Sequence, residues 1–149
     1  MTNETKVYLG TSKPLETSGG SITNNSVVQA TTASYDRSAD GGNYPDAEFY
    51  LTGAFGTAPT EGTTLALYAR PLDIDSTNDA EVPEAARPTA FIGVFVVNNV
   101  TTTQYMQLQG GYARDVPLKA DYYLHNNATG QTFSSTWKLV VVPRTRGPV

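Results

Sequence analysis

Few side chains in this 149-residue chain are equipped for chemistry: 14 carboxylates, 10 lysines and arginines, one histidine and no cysteine. Without cysteine there is no disulfide framework, thiolate metal site or thiol nucleophile. The single histidine, His125, rules out a His-pair metal site, and any catalytic triad would have to be built on it. Alternation along a strand puts His125 on one face with Asp121 and Tyr123, an arrangement in which a carboxylate can orient a general base. No Gly-x-Ser-x-Gly elbow accompanies it. The expected role is an ordinary surface residue of a sheet.

Two carboxylates, Asp46 and Glu48, lie two residues apart and so share one strand face, as a glycoside-cleaving pair must. The same spacing also describes the wet side of any half-exposed strand. Tyr50, Tyr68 and Tyr105 fall on polar faces too, so a carbohydrate platform is an alternative reading; exposed tyrosines equally anchor protein interfaces. The densest acidic segment is the connection from Pro71 to Pro88. It carries Asp73, Asp75, Asp79, Glu81 and Glu84, five of the 14 carboxylates. Its spacing departs from a calcium-binding loop, which needs a further ligand at position 5, Gly at 6 and Glu at 12. No metal or cofactor is expected. The plain reading is a solvated acidic excursion between two strands; because a connection this long usually has a task, the other reading is contact with a neighbouring subunit, with its charges setting the register. The pairs Gly41-Gly42 and Gly110-Gly111 lack the strand–loop–helix setting of a phosphate cradle.

The elements that must position these groups are read from composition and period. Charged residues make up 16% of the chain, against about 25% in ordinary domains, while 21 threonines, 13 glycines and 9 tyrosines suit solvent-facing strands and their turns. Short alternating or apolar runs at Val27–Tyr35, Ala47–Phe55, Thr63–Arg70, Phe91–Asn98, Tyr105–Gly110, Ala120–Asn126 and Thr132–Val142 read as strands. Phe49 and Leu51 share one face, as do Leu65 with Leu67, and Trp137 with Leu139 and Val141. Phe91–Val97 is apolar on both faces, which predicts a central strand. Asn126, Asn127 and Gly130 are the expected positive-φ residues of a hairpin, and Pro143 is expected to end the last strand. Ala80–Arg87 comes nearest to a helix, with at most two turns.

The fold class is therefore all-β, an antiparallel β-sandwich or jelly roll of seven or eight strands. Residues 27–143 form the domain, with a long loop at 71–89 and a short tail at 144–149. Residues 1–26 are polar and read as an extended arm whose apolar points are Tyr8, Leu9, Leu15 and Ile22. No apolar run is long enough for a membrane-spanning helix, and no signal sequence is expected. The net charge of −4 opposes binding to nucleic acid or anionic membrane.

Three segments carry a resemblance: Gly111-Tyr-Ala-Arg-Asp-Val-Pro-Leu118, Ala120-Asp-Tyr-Tyr-Leu-His-Asn-Asn127 and Ser135-Thr-Trp-Lys-Leu-Val-Val-Val-Pro143. Together with the strand pattern over 27–143, the chain resembles the capsid cement or decoration proteins of tailed bacteriophages. The resemblance implies a structural virion protein without an active site. It would assemble as a small homo-oligomer in the host cytoplasm and bind the capsid exterior, bridging neighbouring major capsid protein subunits. On that view Tyr8, Leu9, Leu15 and Ile22 of the arm and Asp73, Asp75, Asp79, Glu81 and Glu84 of the loop make the partner contacts. Alternatives are a glycan- or receptor-binding module and a tail component.

Overall fold

Residue alternation is what separates inside from outside. In β5 (Asp46–Gly53), Ala47, Phe49 and Leu51 are fully buried while Tyr50 between them is exposed. Leu65, Leu67 and Ala69 do the same for β6 (Thr64–Pro71), and Ala120, Tyr122 and Leu124 for β9 (Lys119–Asn127). Trp137, Leu139 and Val141 are the inward residues of β10 (Trp137–Pro148). The computed structural model describes residues 5–40, 42–72, 79–85 and 90–148; these form ten strands and no helix.

All the strand pairings are antiparallel, in two sheets packed face to face. In the first sheet β10 pairs with β5, and β5 with β8 (Gln104–Gln107). The other side of β10 is shared by β2 (Lys13–Gly19) and β1 (Thr5–Leu9). In the second sheet β9 lies between β6 and two short strands, β3 (Val27–Gln29) and β4 (Tyr35–Asp36), and β6 pairs onward with β7 (Phe91–Val96). The inner faces meet in one core. Phe49 and Tyr122 join the sheets with ring centroids 5.0 Å apart, and Phe55 and Phe133 close one end at 5.0 Å.

The all-β sandwich expected from the sequence is what the chain adopts, and several details differ. Val27–Tyr35 is two strands rather than one, because residues 30–34 leave β9 to approach β2. The strand β7 has only β6 beside it among the described residues, so it is an edge; Phe91 is 58% exposed. Its outward Val94 packs sideways against Ala66, Tyr68 and Tyr123 on the outer face, which explains why both faces read as apolar. Pro143 does not end β10. Ala47, its partner in β5, turns its N–H and C=O toward Ala113, so the ring nitrogen points away from β5. It falls in the gap between the pairing of β2, which ends at Lys13, and that of β1, which begins at Leu9, where no ladder donor is needed. In the β9–β10 connection the positive φ angles belong to Ala128 (56°) and Gly130 (80°); Asn126 and Asn127 are still in the strand. Residues 80–85 are not helical.

The largest correction concerns the N-terminal arm. Residues 13–19 are a sheet strand, and Leu15 and Ile22 are fully buried in the core, so neither presents a surface to a partner. What holds this polar segment is the buried carboxylate of Glu16. Its Oε1 accepts hydrogen bonds from the Thr17 and Ser18 amides and the Thr32 hydroxyl at 2.9, 3.1 and 3.0 Å. Its Oε2 accepts from the amide and hydroxyl of Thr31 at 2.8 and 3.1 Å. The Thr32 amide adds a bond to the Leu15 carbonyl at 3.1 Å. Burial by itself would raise the pKa of Glu16, but the hydrogen bonds donated to the carboxylate prevail and bring it down to about 2.

A carboxyl group held below its unfolded value stabilises the fold above that value, and the contribution is lost as pH falls from about 4.5 toward 2. For this shift it is of order 3 kcal/mol. Glu16→Gln places an amide N–H₂ against N–H donors. The variant is expected to melt well below the parent at pH 7, with the difference shrinking between pH 4.5 and 2, as read by thermal unfolding across that range.

Candidate interaction surface

Beyond the sandwich, the two ends of the chain form a ribbon of their own. Thr5–Leu9 of β1 pairs with Arg144–Pro148 of β10, from Thr5↔Pro148 to Leu9↔Arg144. The neighbouring strand β5 starts at Asp46, opposite Arg144, so 145–148 have only β1 beside them among the described residues. All five residues of β1 are exposed, and Val7, Tyr8 and Leu9 form three consecutive apolar points, with Leu9 56% exposed. The Tyr8 hydroxyl donates to the Pro148 carbonyl at 2.8 Å. Its ring lies over Gly147, where a Cβ would sit 3.2 Å from the ring. Local pairing is thus well determined, while among the described residues no second layer covers the exposed side chains of β1.

At the root of the ribbon stands Tyr112. The Arg144 guanidinium stacks 3.9 Å from its ring centroid, with Arg146 and Arg114 at 5.6 and 5.8 Å. The Arg114 Nε–H donates to the Tyr112 hydroxyl at 3.3 Å; that bond, with the three positive charges, holds the phenol below its usual pKa. Three of the ten cationic side chains thus surround one ring. In the sequence, Arg144 and Arg146 fall in the short tail at 144–149. Arg114 joins them because the Ala47↔Ala113 bridge extends the sheet past β5. Nothing in the sequence joins Tyr112 and Arg114 to Arg144 and Arg146 before the strand register is known.

Of the residues expected to make contacts, Tyr8 and Leu9 lie exposed on the ribbon, and Leu15 and Ile22 lie in the core. Asp73 and Asp75 fall outside the described residues. Asp79 sits 3.8 Å from Arg70, and the Arg70 Nε–H donates to the Ala80 carbonyl at 2.7 Å, so the loop returns close to the edge of the second sheet. Glu81 and Glu84 are exposed beyond it. Arg70 belongs to the second sheet and the terminal ribbon to the first, so Asp79 stands beside a different sheet from the ribbon.

Asp46 and Glu48 share a face as expected, but each is engaged. Asp46 accepts the Asp115 amide at 3.1 Å. Glu48, nearly buried, accepts from the Tyr50 hydroxyl at 2.6 Å and from Arg144 Nη1 at 2.8 Å. His125 is not a surface residue. It is buried on the outer face of the second sheet, in register between Val27 and Ala66, with its ring centroid 6.0 Å from that of Tyr68. Burial lowers its pKa, and neither ring nitrogen has a hydrogen-bond partner among the described residues. Asp121, on the same face, accepts instead from the Ser34 hydroxyl at 2.5 Å. Among the described residues no three His, Asp or Glu side chains converge as metal ligands, and no helix is long and apolar enough to cross a membrane. The chain matches no protein-family model, no curated protein and no solved structure.

Arg144 links the stacked ring to the buried acid, so removing it strands the Glu48 charge. Arg144→Leu is expected to cost about 2 kcal/mol in urea denaturation, because an uncompensated, nearly buried carboxylate is left behind. Adding Glu48→Gln to that variant should restore most of the loss.

Proposed function

We propose that this chain is a contact protein of a virus particle: a cement or decoration protein that binds the outside of a tailed-phage capsid and bridges neighbouring major capsid subunits, acting as a small homo-oligomer. The observation that carries this reading is the terminal ribbon. A two-stranded ribbon has little stability by itself, and here it holds three adjacent exposed apolar side chains, open strand edges and a stacked arginine cluster at its root. Those are the features by which an extended segment adds to a partner, with main-chain hydrogen bonds supplying affinity and alternate side chains supplying specificity.

The strand order supports the same reading. Two antiparallel sheets ordered β2-β10-β5-β8 and β3-β9-β6-β7, with the chain crossing repeatedly between them, support a jelly-roll reading, the double-sheet arrangement used by capsid and lectin domains. Fold likeness alone is an analogy; the ribbon gives the chain something to bind with. A ligand that binds only the assembled shell stabilises it by mass action, and many symmetric copies add their contributions.

Because Leu15 and Ile22 belong to the core, the informative variant changes only the ribbon. Val7→Ser, Tyr8→Ser and Leu9→Ser together are expected to leave the melting temperature within a few degrees of the parent. Loss of about 3 kcal/mol of apolar contact should weaken binding to purified particles of the encoding phage about 100-fold in a co-sedimentation assay. Unchanged sedimentation of the variant would remove the ribbon from the interface. Failure of the parent chain to sediment with particles would end the cement reading altogether.

A further inference from the structure

The side chain most at odds with its surroundings is Tyr105. It projects from β8, an edge strand, and is 83% exposed, more than any other large apolar or aromatic residue described. Its neighbours Gln104 and Met106 are both buried, so the backbone beneath the ring is fixed while the ring stands out. Tyr105 pairs with Thr52 of β5, and the two residues form the ridge between two adjoining hollows on the outer face of the first sheet. One hollow, of about 310 Å³, runs toward Tyr50 and Gln107. The other, of about 570 Å³, is edged by Thr17, Ser18, Ser134, Thr136 and Lys138.

We propose that these two hollows are consecutive subsites for an oligosaccharide containing an acidic sugar. A pyranose ring has an apolar C–H face and a rim of hydroxyl groups. An exposed tyrosine ring supplies a flat surface for that face, and a border of hydroxyl and amide groups exchanges hydrogen bonds with the rim. This groove offers both, side by side. Among the described residues Lys138 is the only charged side chain along its border, so a sugar carboxylate finds a cation there and no competing acid among them. A protein partner would be better served by an apolar border, whereas seven of the residues lining the larger hollow carry Ser or Thr hydroxyls on either side of the ring.

Backbone strain marks the same place. Thr136 has φ of +71°, and it is the one β-branched residue at positive φ among the described residues. That conformation costs of order 1–3 kcal/mol for such a side chain. The Thr136 N–H donates to the Gly19 carbonyl at 2.6 Å, and the buried Trp137 follows it, so the turn is held from both sides. Glycine would meet the backbone requirement without strain; threonine in its place puts a hydroxyl and a methyl group into the groove.

The groove also lies away from the ribbon. Asp46 and Thr52 mark the two ends along β5, six residues and about 20 Å apart. A copy held to a shell by its ribbon would keep Tyr105 accessible, so the sugar site extends the cement reading without depending on it.

The test is a chemical-shift titration of the ¹⁵N-labelled full chain with three hexasaccharides: α-1,4-linked galacturonate, cellohexaose and maltohexaose. Galacturonate is expected to shift the amides of Thr52, Tyr105, Thr136 and Lys138 with submillimolar affinity and to bind several-fold more tightly than the neutral sugars. Tyr105→Ala should weaken binding about tenfold, the equivalent of one lost stacking contact. Lys138→Ala should abolish the preference for galacturonate while keeping neutral binding. Thr136→Gly should bind more weakly although its fold is at least as stable as the parent's. If no hexasaccharide at millimolar concentration shifts the groove amides, the proposal is overturned. It is equally overturned if Tyr105→Ala leaves sugar binding unchanged and instead loses particle binding, since the ring would then be a protein anchor.

Discussion

Glu16 is where a polar segment is joined to an apolar body. Its carboxylate is buried at the margin between the two sheets, and it gathers five donors from β2 itself and from the 31–32 segment. Once β2 is held there, Leu15 enters the core and Gly19 lies flat beneath the indole of Trp137, at a position where a Cβ would come within 2.0 Å of the ring. The Trp137 Nε1–H then reaches the Gly20 carbonyl at 2.7 Å. The core depends on this order of events in space: without β2, one side of β10 is open and the largest buried side chain has no cover.

This also explains which parts of the fold were legible in the sequence. The strands β5, β6, β9 and β10 were readable because their burial is apolar and alternates with period two. Phe49, Leu65, Tyr122 and Leu139 announce their face by type alone. The segment Lys13-Pro-Leu-Glu-Thr-Ser-Gly19 has the composition of an exposed arm, because it is held by hydrogen bonds to a carboxylate and by contact with a tryptophan 118 residues away. Composition does not record such long-range satisfaction of polar groups. His125 was misread for a related reason: alternation correctly put it opposite Leu124, but the outer face there is a second apolar cluster rather than water.

Candidate sites followed the same division. Tyr8 and Leu9 were identifiable as apolar points, and Tyr50 and Tyr105 as lying on polar faces; that the two share one face follows only from the pairing of β5 with β8, and Tyr68, read the same way, is buried. The arginine cluster was not, because Tyr112 and Arg114 meet Arg144 and Arg146 only through strand pairing. Arg144 with Arg146, and the single Arg114 thirty residues upstream, look like separate, solvated charges until the register is known. Asn126 shows the converse. It was expected to shape a turn, yet its side chain is buried and bonds to the Ile22 and Gln131 carbonyls and the Thr129 hydroxyl, tying the hairpin to the N-terminal segment.

The pairing of Thr5 with Pro148 brings the two ends of the described chain side by side. Joining them through a short linker would therefore ask little of the backbone, and a closed ring has fewer unfolded arrangements to lose. New ends opened at the turn around Glu61 and Gly62, away from the terminal ribbon, would then turn the molecule into a carrier. Anything fused there would lie away from the ribbon, whereas a fusion beside Thr5 or Pro148 would sit on it.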